Sequence, residues 1–239
     1  MTAGPIAKGY EFDGFSAFQI RTAWWLDGRA SGRPSALRQP LQKAEDQMPL
    51  LMPVILGSVR SDRQGVKAAR FITRSLESRG CEAPVVDPLE LNLPLLDRMY
   101  KEYHKGEAPE VLERLAELFR RADAFVVVSG EYNHGIPPGL SNTLDHFLEE
   151  YFWRPSAIVC YSGGRFGGVR AAMQLRAMLC ELGTPSIPSL LPIPEIGTAL
   201  TVDGDPEMPW LDKAASRFVD ELVWYAEALR RQRTGGTPY

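Results

Sequence analysis

Cysteine and histidine are scarce, three of each in 239 residues, which leaves little material for a metal centre or a disulfide frame. Cys81, Cys160 and Cys180 have neither C-x-x-C nor zinc-ligand spacing, and an odd count argues against a secreted scaffold; they read as reduced thiols of a cytoplasmic protein. His104 and His146 make no ligand pattern with a cysteine or a carboxylate pair, so no metal site is expected. No apolar run reaches the roughly 18 residues a membrane helix requires. The N-terminus lacks a basic segment followed by an apolar signal core. A charge bias is missing too: 27 Lys and Arg against 30 Asp and Glu give a net −3, and the arginines are spread along the chain. Neither a nucleic acid nor a membrane is therefore an expected partner.

What is present is enough apolar material, 44% of residues, for one good-sized core. Residues 1–48 differ from the rest. Gly and Ser are scattered through them, no apolar period survives beyond a turn, and Trp24-Trp25 stand alone. A poorly ordered extension is the simplest expectation, with the domain proper over 49–239. Two alternatives are a start at Met48 or Met52, and an arm that wraps a neighbouring subunit with its tryptophans as anchors.

From residue 51 onward strand and helix alternate. Leu51 to Leu56 is a short branched-rich run cut off by Gly57, as a buried strand would be. Val66, Ala69, Ile72 and Leu76 share a helical face running to Arg79, with Gly80 as the stop. Ala83 to Asp87 fits a second strand, and Leu91 to Tyr103 a long apolar loop. Val111, Leu115, Leu118 and Ala122 mark the next helix, and Ala124 to Ser129 is the least ambiguous strand. Leu140, Leu144, Phe147 and Tyr151 form the following helical face, and Ser156 to Tyr161 a fourth strand. Ala172, Leu175, Leu179 and Leu182 face inward after it. A last strand falls within Ser186 to Leu191, and a closing helix from Trp210 to Arg231 carries Leu211, Ala215, Phe218, Leu222 and Leu229. Such alternation with short links predicts an α/β protein with a parallel sheet covered on both faces.

Ligands of an open parallel sheet bind beyond the carboxyl ends of its strands. Three unusual loops follow strands here. The first, Gly57-Ser-Val-Arg-Ser-Asp-Arg63, carries a hydroxyl (Ser58) and two guanidiniums (Arg60, Arg63) into a helix opening at Gly65, where unpaired N–H groups and the dipole suit a phosphate. The second, Glu131-Tyr132-Asn133-His134-Gly135, offers a flat aromatic and an amide ahead of a Gly-Ile-Pro-Pro bend. The third, Ser162-Gly163-Gly164-Arg165-Phe166-Gly167-Gly168, has four glycines within six positions, so backbone N–H groups can approach a planar ligand closely. Together they describe a slot for a flat polar ring with a phosphate tail, and FMN fits that description.

These motifs resemble the NADPH-dependent FMN reductase family, with its G-S-x-R, P-E-Y-N-x-G-x-P and S-x-G-G loops. The resemblance covers residues 51 to about 231, and Arg170-Ala171 and Gln174-Leu175-Arg176 match the stretch after the glycine loop. Two departures stand out: Gly130 replaces the family's Pro before the Glu, and Pro137-Pro138-Gly139-Leu140-Ser141-Asn142 replaces P-G-A-L-K-N. The resemblance implies a flavodoxin-like three-layer sandwich, sheet order 2-1-3-4-5, with FMN held by the three loops. It implies NADPH or NADH as reductant, a quinone, azo compound, free flavin or similar small molecule as acceptor, and a homodimer or homotetramer.

Hydride would pass to flavin N5 at an approach of about 3 to 3.5 Å without an ionised side chain, so no catalytic acid or base is expected. Donors near N1 and C2, from the region of Gly163, Gly164 and Arg165, would favour the reduced ring. Exposed apolar surface over Pro94 to Tyr100 and Tyr151 to Pro155 is expected to mark the subunit contact. A flavin-binding carrier or sensor without turnover, and a phosphate-ester binding domain, are the competing readings.

Overall fold

The computed structural model describes residues 48–239. The expectations for residues 1–47, including Trp24-Trp25, lie outside these described residues.

Five strands form one all-parallel sheet: β1 (Val54–Leu56), β2 (Val85–Val86), β3 (Phe125–Gly130), β4 (Ser156–Tyr161) and β5 (Ser186–Ile193), in spatial order β2-β1-β3-β4-β5. The chain thus has the expected flavodoxin-like order. β1 and β2 are shorter than their apolar runs, because Pro53 and Pro84 lack the N–H a ladder needs. β5 runs on to Ile193 despite Pro188 and Pro192, tolerated because it is an edge strand.

The helices are α1 (Gly65–Glu77), α2 (Glu110–Arg121), α3 (Pro138–Asp145), α4 (Val169–Glu181), a short α5 (Ile196–Ala199) and α6 (Pro209–Thr234). Alternation along the strands divides the core into two layers. Val54, Leu56, Val126, Val128 and Val159 pack against α1 and α6; Ile55, Val127, Ile158 and Cys160 pack against α2, α3 and α4.

Two helical faces differ from expectation. On α2 the buried stripe is Leu112, Leu115, Ala116 and Phe119, whereas Val111 and Leu118 are only partly buried. The sheet selects the stripe holding Phe119, whose ring meets Phe125 at 5.4 Å and Phe147 at 5.0 Å. On α6, Ala226 takes the inward position and Leu229 is partly buried. Tyr151 to Pro155 is covered largely by its own chain. Tyr151 is 1% exposed within the Phe119 cluster, and Phe152 and Trp153 pack against Tyr239 at 5.7 and 4.8 Å.

Candidate active site

Strand order reverses between β1 and β3, and the loops after β1, β3 and β4 all leave the sheet's carboxyl edge there. This is the ligand position of open parallel sheets.

In the first loop Ser58 is 2% exposed, and its hydroxyl shares a 2.8 Å hydrogen bond with the Tyr132 hydroxyl of the second loop. Arg60 stands in solvent beside Asp62 at 3.0 Å, and that contact raises the arginine's pKa and lowers the aspartate's. Arg63 is held: its guanidinium donates to both Asp87 oxygens, at 2.8 and 2.5 Å, and to the Ser58 carbonyl at 3.2 Å. Gln64, the N-cap of α1, provides no side-chain cap, and its carbonyl takes the Lys67 N–H at 3.1 Å, so the positive end of the helix faces the loop without a side chain over it. Gly57 serves packing, since a Cβ there would stand 2.9 Å from the Val128 carbonyl and 3.0 Å from Leu140.

The second loop is a two-residue reversal. Tyr132 and Gly135 exchange backbone hydrogen bonds of 3.1 and 2.9 Å while Asn133 and His134 take φ of 51° and 65°, the left-handed pair such a tight turn demands. Gln174 of α4 donates to the His134 carbonyl at 3.0 Å. Glu131 turns away from the turn toward α4, accepting from Arg170 Nη1 at 2.7 Å and from the N–H groups of Arg170 and Ala171 at 3.1 and 3.4 Å. Burial opposes its charge, but these donors outweigh that and hold the carboxyl below its ordinary range.

The third loop divides by glycine. Gly167 and Gly168 have φ of 61° and 79°, and a Cβ on Gly168 would strike the Tyr161 carbonyl at 2.6 Å, so they shape the turn. Around Gly163 and Gly164 nothing lies within 4 Å of an added Cβ. Arg165 is 91% exposed and 3.8 Å from Glu195.

Of the expected residues, Ser58, Arg60, Arg63, Glu131, Tyr132, Ser162 and Gly163 line one cleft of about 280 Å³. Gly57, Gly65, Asn133, His134, Gly135, Gly164, Arg165 and Gly167 belong to the same loops but not to its lining. Asp62, Gln64, Gly130, Tyr161 and Ile196 line it as well, beyond the residues the sequence motifs single out. Tyr161 was findable: it closes β4, so it sits at the ligand edge. A helix N-terminus, a buried hydroxyl and an unobstructed glycine loop around one cleft fit a planar, phosphorylated group such as FMN.

The profile of the NADPH-dependent FMN reductase family matches residues 52–197, more than half of the chain. The chain belongs to this family. Membership places it among FMN-dependent NAD(P)H oxidoreductases, and favours an enzyme over a carrier without turnover. A quinone reductase of Pseudomonas putida is 31% identical over 158 residues, 64% of this chain and 80% of its own length. An NAD(P)H-dependent FMN reductase of Nectria sp is 32% identical over 137 residues, 53% of this chain and 65% of that relative. The solved flavoenzyme NAD(P)H:(acceptor) oxidoreductase FerB of Paracoccus denitrificans superposes with a TM-score of 0.61 at 24% identity, covering 75% of this chain and 98% of that one, which supports the fold. Among the described residues no helix is long and apolar enough to cross a membrane.

Proposed function

We propose that this reductase takes hydride from NADPH or NADH and delivers it, by way of FMN in the cleft described, to a quinone, azo compound, free flavin or similar acceptor. The observation that carries the reading is the meeting of all three family loops at one cleft, joined by the Ser58–Tyr132 hydrogen bond across 74 residues of sequence. FMN, when bound, supplies the hydride chemistry. The chain's own residues bind and orient. Ser58, Arg60 and the opening turn of α1 hold the phosphate; Tyr132 and the Asn133-His134 turn flank the ring; Gly163 and Gly164 offer backbone N–H groups with no side chain in the way. Arg63 and Glu131 keep the loops in place through Asp87 and Arg170. No side chain is assigned as acid or base.

The working unit of this reading is residues 49–239, as a cytoplasmic homodimer. Two buried unpaired thiols, Cys81 and Cys160, suit a reducing compartment. Leu95 is 85% exposed and Val59 43%, and both line a groove of about 290 Å³ beside Leu89 and Leu93 that a second copy would cover. An absorbance spectrum of the purified protein before and after anaerobic NADPH, followed by steady-state NADPH oxidation with a quinone or free FMN, tests the reading. A flavin band that NADPH bleaches, with turnover, supports it; no flavin uptake overturns it. A monomer by light scattering at micromolar concentration overturns the dimer.

A further inference from the structure

Tyr161 belongs both to the core layer beneath α1 and α6 and to the cleft. It ends β4 with 7% of its surface exposed, yet it lines the cleft. The ring is wedged between two glycines: a Cβ on Gly65 would come within 2.5 Å of the phenol oxygen, and one on Gly130 within 3.1 Å of the same atom. Gly65 opens α1, so the hydroxyl lies against the first turn of that helix. Gly130, the departure from the family's Pro, leaves room for this phenol.

The other donors assigned to the phosphate, or close to it, carry second commitments or lie outside the buried part of the cleft. Both outer nitrogens of Arg63 are held by Asp87, Arg60 stands in solvent, and the Ser58 hydroxyl is shared with Tyr132. Burial pushes the Tyr161 phenol up to about 12, more than Ser58 and the Gly65 N–H pull it down. Near neutral pH it is therefore an intact O–H donor on a rigid strand end.

Building on the flavin reading above, we propose that Tyr161 is a further residue by which this site tells a phosphorylated flavin from an unphosphorylated one, its hydroxyl donating to the phosphate group beside Ser58 and the start of α1. A hydrogen bond to a charged group sets the scale, about ten- to a hundredfold in affinity.

The test is flavin fluorescence quenching on the full-length chain stripped of flavin, comparing FMN with riboflavin in wild type and Tyr161→Phe. FMN binding is expected to weaken by about tenfold or more while riboflavin binding stays within about twofold. Equal weakening of both ligands would make Tyr161 a packing residue and overturn the proposal, as would no change in either. Wild type binding neither flavin would instead sink the flavin reading on which the proposal stands. If Tyr161→Phe is not recovered folded, Tyr161→Met fills the space without a donor and carries the same comparison.

Discussion

Arg63 and Asp87 meet fork to fork behind the first loop, each side chain 10% exposed, so a guanidinium that the sequence offers as a phosphate ligand is joined to the end of β2. Removing one partner of a buried pair strands the other charge. Asp87→Ala is expected to destabilise the fold by about 3 kcal/mol in urea denaturation. The exposed Arg60–Asp62 pair behaves differently: Asp62→Ala is expected to leave the unfolding midpoint unchanged, since such pairs are screened by solvent.

Glu131 and Arg170 make a pH-dependent contact. The folded pKa of Glu131 is depressed, so its contribution is fully present above the unfolded value of about 4.3 and is lost as pH falls through the folded value. Glu131→Gln is expected to be less stable than wild type by about 1–3 kcal/mol near neutral pH, and the gap should narrow below about pH 4. Denaturant titrations from about pH 7 down to about pH 3.5 check this; a gap that stays constant throughout would refute it.

Two glycines of the third loop should part company. Gly168→Ala forces a Cβ toward the Tyr161 carbonyl at 2.6 Å from a φ of 79°, and a loss of at least about 1 kcal/mol is expected. Gly163→Ala meets open space, so its melting temperature should match wild type while FMN affinity falls. Unchanged FMN affinity in Gly163→Ala would remove that residue from the cofactor's surroundings.

Phe119 anchors the aromatic cluster beneath α2 and has no exposed surface. Phe119→Ala is expected to destabilise by about 3–5 kcal/mol in equilibrium denaturation. Val111→Ala, on the partly buried flank, should lose well under half of that.

The strands and the three loops were legible because their signals are local: branched residues between breakers, and glycine where φ must be positive. The Asn133-His134 turn shows the limit. The sequence offers its residues as ligand contacts, but only the pairing of Tyr132 with Gly135 reveals why they sit there. On α2, two apolar stripes were available to the same helix, and the sheet's need for Phe119 chose between them.

Local residue chemistry alone thus determined the alternation of elements, the parallel sheet and the three ligand-edge loops, because backbone geometry and turn preference act over a few residues. Only the tertiary structure decided that Arg63 and Glu131 point at Asp87 and Arg170 and that Tyr161 faces the cleft, since those partners lie 24 and 39 residues away, and Tyr161 meets Gly65 from a different strand. A charge or hydroxyl seeks its nearest complement in space, and that neighbour exists only once the sheet has assembled.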